Sequence, residues 1–311
     1  MKKLLAPILA LALLTIPASG ASAATVDEIA ELSGPPGQMT YGSDGNAWVL
    51  FDGAGNEDLA RVKPNGKVTE YEVDDLNGAV GITRGPAGKN LWASVSGGVV
   101  EIPVENPEDS TLHDVDALDG GAQGITNGPD KRIYAASGDQ FVSFPANDPT
   151  DQDEDTIDGM NARGVDGADG KIWIADFGGT DIVRVNPNGE KFKRFNVGGG
   201  PQQVADGPDG LVGYSNPGSD PQTVGRIDGG DVKKTKDDGA DPFGMVFAGG
   251  KWWIGQFNKP GKIGVLSRDG ELSQFGGGLP NNAKTRYVTA GDGAVFAGIE
   301  NRDEVAIIKD L

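Results

Sequence analysis

Apolar and polar positions along this chain alternate with a period of two in short runs, and glycine-rich turns separate the runs. That pattern predicts half-buried strands. The clearest stretch is 162–197. A small-residue strand at Gly164–Gly167 leads through Asp169-Gly170 into an aromatic-bearing strand at Lys171–Asp176. A variable loop follows, then strands at Asp181–Asn186 and Lys191–Asn196, joined by Asn188-Gly189, a strong two-residue hairpin signal. The phrase recurs about every 42 residues, the period of a four-stranded propeller blade.

Copies begin near Gln38, Gly81, Gly124, Gly164, Gln203, Gly244 and Tyr287. Their second-strand aromatics are Trp48, Trp92, Tyr134, Trp173, Tyr214 (one place out of step), Trp253 and Phe296, which read as filling between blades. Asn65-Gly66, Asp228-Gly229 and Asp269-Gly270 mark outer hairpins. Asn106–Asp109 and the longer Asn147–Asp155 stretch replace them in the second and third copies. The last copy ends after Val305–Ile308 without a fourth strand, and Val26–Leu32 at the other end supplies one. The prediction is an all-β, seven-bladed β-propeller whose last blade is closed by the N-terminal strand. Such closure covers an edge that would otherwise be free.

Fifty glycines and nineteen prolines suit this turn density. Met1-Lys2-Lys3, the apolar run Leu4–Pro17 and the small-residue site Ala21-Ser22-Ala23 read as a cleaved signal peptide over residues 1–23. A single propeller domain over 24–311 follows it. The apolar run is shorter than the roughly 20 residues a membrane span needs. With no cysteine there is neither a lipid attachment point nor a disulfide. The expectation is a secreted monomer without a membrane anchor. A formal net charge of −19 argues against nucleic acid and anionic lipid as partners and accords with solubility.

The phrases Gly207-Pro208-Asp209-Gly210, Gly85–Trp92 and Arg61–Tyr71 resemble repeats of the virginiamycin B (streptogramin B) lyase family and, less closely, of NHL-repeat propellers. The resemblance runs through the whole mature chain. It implies elimination across an ester C–O bond, with a general base and a divalent metal, usually Mg²⁺. In that family the residue just before the inner strand carries the chemistry, as histidine in two neighbouring late blades. The same column here holds Gly37, Val80, Gln123, Arg163, Gln202, Phe243 and Arg286. Gln202 and Phe243 stand where the histidine pair is expected, and neither can act as a base near neutral pH.

Two readings follow. The first is a binding propeller that recognises a small molecule, glycan or peptide over the channel mouth through Gln123, Arg163, Asp176, Gln202, Asn216, Phe243, Gln256 and Arg286. Salt bridging within the ring is the alternative role of the two arginines. The second reading is a divalent-metal-dependent C–O lyase or lactonase acting on a cyclic ester. In it Asp166, Asp176 and Asp241, near one face, hold Mg²⁺ or Ca²⁺; the alternative for Asp166 and Asp176 is turn capping. The sole histidine, His113, reads as a solvated residue of an outer strand. Asp151, Asp153 and Asp155 begin like a calcium loop, but Thr156 and Ala162 break the pattern, which favours a solvated loop. Gly198–Gly200 and Gly276–Gly278 read as blade connections.

Overall fold

A computed structural model describes residues 24–52, 58–118, 121, 123–187 and 191–311. The signal-peptide reading and the Asn188-Gly189 turn lie outside the described residues. Seven four-stranded antiparallel sheets are present. Their inner strands are Pro36–Tyr41, Gly81–Arg84, Gly124–Asn127, Ala162–Ala168, Gln203–Asp206, Pro242–Ala248 and Thr285–Gly291. The chain is thus an all-β, seven-bladed propeller. Thr25–Glu31 lies antiparallel to Glu304–Lys309 and forms the outer strand of the last blade. No helix among the described residues is long and apolar enough to cross a membrane.

A propeller blade buries both faces of its sheet, so the core is a set of wedges between blades. Each wedge has an aromatic anchor. Trp48 packs with Leu91 and Val100 of blade 2, and Trp92 with Ile125 and Phe144 of blade 3. Tyr134, Trp173, Trp253 and Phe296 do the same at their own interfaces. Blade 5 departs from this rule. Its Tyr214 is one residue out of step, and with period-two side chains it faces backward onto Trp173 and Ile182 of blade 4. The usual aromatic position is Gly213, where a Cβ would lie 2.6 Å from Nε1 of Trp252. Trp252 of blade 6 therefore reaches back and fills the gap from the opposite side, with Met245 and Ile254.

Four inner strands carry a β-bulge at their entry. The pairing jumps between Pro36 and Met39, Ala162 and Val165, Pro242 and Met245, and Thr285 and Val288. An extra residue bends the strand and re-aims its side chains. The re-aimed residues include Arg163, Phe243 and Arg286. Beside them the inner strands almost touch. A Cβ on Gly124 would lie 2.2 Å from the carbonyl oxygen of Arg163, and one on Gly244 would lie 2.8 Å from Cα of Tyr287. Glycine there lets neighbouring blades meet backbone to backbone.

One other detail departs from expectation. The fifth-blade outer hairpin turns at Gly229-Gly230, since Asp228 pairs with Asp231. The acidic stretch of blade 3 is part loop and part strand: Asp153–Thr156 pairs with Gln140–Ser143, and Asp153 forms an ion pair with Arg132 at 2.6 Å. Because the obstacle at Gly124 is backbone and cannot swing aside, Gly124→Ala is expected to destabilise by about 1–3 kcal/mol. Thermal and urea unfolding of the variant beside the parent chain measures this.

Candidate functional site: the channel mouth

At one end of the central channel a cavity of about 160 Å³ is lined by Gln123, Arg163, Gln202 and Arg286, with Gly37 and Val80 completing the rim. The column read from the repeat thus converges around one opening. Phe243 does not itself line the cavity, but it supports it. The Arg286 guanidinium carbon sits 4.7 Å from the Phe243 ring centroid, and Tyr287 meets that ring edge-on at 6.4 Å.

The two arginines differ in kind. Arg286 Nη1 donates to Asp52 and Glu300, each at 3.0 Å, and its Nε is buried without a partner. It is a held cation. Arg163 forms no ion pair among the described residues and lies over the Phe177 ring at 4.7 Å. A guanidinium held by an aromatic face keeps its in-plane donors free. Gln202 is buried, with its backbone bonded to Ser215 and Gly164. Burial raises the Tyr287 hydroxyl pKa, which the neighbouring Arg286 partly offsets, so the phenol stays protonated as a donor. The opening therefore presents hydrogen-bond donors of both charged and neutral kinds.

Asp176, Asn216 and Gln256 take a different place. Each ends the second strand of its blade and is buried, and none lines the mouth. The Asp176 carboxylate accepts from Asn161 N at 2.8 Å and from Arg194 at 3.0 Å. Asn216 Nδ2 donates to the carbonyl of Val197 at 3.2 Å. Gln256 Nε2 donates to buried Asp237, whose other oxygen meets Lys259 at 2.6 Å. These contacts fasten loops to the ends of the second strands.

The three acids do not converge. Asp176 is engaged as described, and Asp241 sits at the entry to the sixth inner strand, with Asn258 at 3.4 Å. Asp166 does not share their face. It lies three residues further along its strand than Arg163, about 10 Å at the rise of a strand, and lines the channel interior and its far exit. There it accepts from Asp206 N and Gly167 N, both at 2.8 Å, beside the Thr126 hydroxyl. Among the described residues no three His, Cys, Asp or Glu side chains form a metal-holding group. The donor set here does not fit the divalent ion that the resemblance implies.

Sequence reasoning missed Gln38, Asp52, Tyr287 and Glu300. Asp52 and Glu300 are the residues just past the second strands of blades 1 and 7, so the register of those strands was the available signal. His113 is not a merely solvated strand residue. It is half-buried, stacked on Trp92 at 5.6 Å and bonded to Glu101 at 3.2 Å.

No protein-family model matches the chain, and no curated protein matches its sequence. Solved structures share the fold. A streptogramin B lyase structure superposes with a TM-score of 0.77 at 20% identity, covering 91% of this chain and 96% of that one. A virginiamycin B lyase from Staphylococcus aureus gives 0.77 at 17% identity over 92% and 99%. A catalytically inactive form of that lyase with Quinupristin gives 0.75 at 18% over 91% and 99%. The WD40 propeller domain of Doa1 gives 0.72 at 10% over 93% and 97%. The chain is a seven-bladed propeller related in fold to these lyases and to WD40-type propellers.

Burial pushes the Asp166 carboxyl up to about 6 from 3.8, against the pull of its hydrogen bonds to backbone N–H groups. The native state then binds more protons than the unfolded chain between those values. Stability that is fully present below the lower value is lost as pH rises through about 6. Asp166→Asn is expected to flatten that step. Urea midpoints followed across the interval for both proteins test it.

Proposed function

We propose that this propeller binds a small molecule, glycan or peptide at the channel mouth, after export directed by its N-terminal leader. The observation that carries the reading is Arg163: a cation without an ion pair among the described residues, braced on Phe177 over a cavity that Gln38, Gln123, Gln202 and Tyr287 also line. Such a site favours a ligand that presents carboxylate or carbonyl oxygens. Gln123 and Gln202 add neutral amides, and Phe243 and Tyr287 hold Arg286 in place behind them.

A metal-dependent lyase or lactonase acting on a cyclic ester is the second reading. The fold likeness to the lyases, which spans more than nine-tenths of the chain, is what favours it. The absence of a histidine at the mouth, and acids that lie apart, weigh on the side of binding.

Quinupristin serves as the probe, with calorimetry for binding and liquid chromatography for ring opening. The expected result is saturable binding with the ring intact. Arg163→Ala is expected to weaken it roughly 10- to 100-fold, the loss of about 1.5–3 kcal/mol for a charge-assisted hydrogen bond. Ring opening that stops on adding a chelator would establish the second reading instead. Binding untouched by Arg163→Ala would remove the mouth as the site.

A further inference from the structure

A second cavity, of about 450 Å³, opens between blades 2 and 3, away from the channel. Its distinguishing group is Trp92. The side chain is 1% exposed, yet its indole N–H lacks a hydrogen-bond partner among the described residues, and Trp92 lines the cavity. Every other indole N–H in the chain is satisfied. Trp48 donates to Asp44, Trp173 to the carbonyl of Ala168, Trp252 to that of Asp206 and Trp253 to that of Ala248.

The reason lies in one turn residue. In blade 1 Gly45 N bonds to Gly42 O, and Asp44 within that turn accepts from Trp48 at 3.1 Å. In blade 3 Lys131 N bonds to Gly128 O, and Asp130 accepts from the Tyr134 hydroxyl at 2.6 Å. Blade 2 builds the same turn, with Gly88 N bonded to Gly85 O, but the residue in the acceptor's place is Ala87. The carboxylate is missing and its space is part of the cavity. The indole N–H therefore has no protein acceptor and meets the cavity, where a ligand oxygen can take the place of the missing carboxylate.

The walls define the ligand. Lys89 and Lys131 line the cavity, and neither forms an ion pair among the described residues. The one carboxylate in the lining, Glu101, is already engaged by Asn90 and His113. Pro86, Ala87 and Ala146 supply an apolar surface. Two ammonium groups and an indole N–H, with no acid to spare, call for an anion. The apolar wall calls for a hydrocarbon body attached to it.

We infer that the cleft between blades 2 and 3 is a binding site for small organic carboxylates. The carboxylate accepts from Trp92 Nε1 where the turn aspartate of other blades would stand, and Lys89 and Lys131 flank it. This site is separate from the mouth and does not rest on the reading given to it.

The test uses the whole protein with its tryptophan indoles labelled with ¹⁵N, titrated with phenylacetate, phenylacetamide and inorganic phosphate. Trp92→Phe, which keeps the buried ring, assigns the Trp92 indole resonance. Phenylacetate is expected to shift that resonance saturably and leave the other indoles in place. Phenylacetamide and phosphate are expected to bind at least tenfold more weakly. Ala87→Asp, which restores an internal acceptor, and Lys89→Glu, at an exposed position, should each weaken phenylacetate binding tenfold or more. Arg163→Ala should leave it unchanged. A Trp92 resonance that phenylacetate does not move, or that the amide moves equally, overturns the proposal. So does a phenylacetate-induced shift of the Trp92 resonance that survives both Ala87→Asp and Lys89→Glu.

Discussion

The backbone contact between neighbouring inner strands is the constraint on which the rest of the molecule depends. At Gly124 the space for a Cβ is taken by the carbonyl of Arg163, and at Gly244 by the backbone of Tyr287. These contacts draw the inner strands of blades 3 and 6 against those of blades 4 and 7 and so hold part of the mouth at a set width. Ring closure needs a matching contribution at the rim of the seventh blade. There Thr25–Glu31 pairs with Glu304–Lys309, so the last blade depends on both ends of the described chain.

Within that ring, side-chain direction decides role. A strand offers alternate residues to alternate blade interfaces, and a bulge interrupts the alternation. The bulges at the entries of blades 4, 6 and 7 carry Arg163, Phe243 and Arg286 toward the mouth, whereas Asp176 and Gln256, at the ends of the paired second strands, stay inside the protein. The same logic governs blade 5. Tyr214 stands one residue from the usual aromatic place and so serves the interface behind it, and Trp252 serves the one in front. The two solutions fill equivalent wedges with aromatics drawn from opposite sides.

The two ends of the channel carry different side chains. The mouth holds Arg163 open and Arg286 paired with Asp52 and Glu300, while further down Asp166 is half-buried among threonine hydroxyls and backbone donors. Arg163 thus stands at the mouth without an ion pair among the described residues, and the Asp166 carboxyl, pushed up by burial, lies deeper along the axis. The cleft between blades 2 and 3 repeats the pattern on a smaller scale, with Lys89 and Lys131 near an indole whose usual acceptor is absent.

Much of this is legible in the amino-acid sequence. The period gave the blade count, the aromatics gave the interface fillings, and aligning the copies brought Gln123, Arg163, Gln202 and Arg286 to one rim, because equivalent residues in a closed ring must face a common axis. Other features were not legible. Asp166, Asp176 and Asp241 look alike in sequence, but strand register sends one down the channel, buries one against Arg194 and leaves one at a strand entry. Ala87 stands in blade 2 where Asp44 and Asp130 stand in blades 1 and 3, yet the consequence depends on where the Trp92 N–H lies. By itself, then, the sequence determined the ring and the identity of the column that lines its mouth, since both follow from a repeating pattern. Only the tertiary structure decided which polar groups are left without partners, because a partner for a buried side chain comes from a neighbouring turn or blade whose position the repeat does not specify.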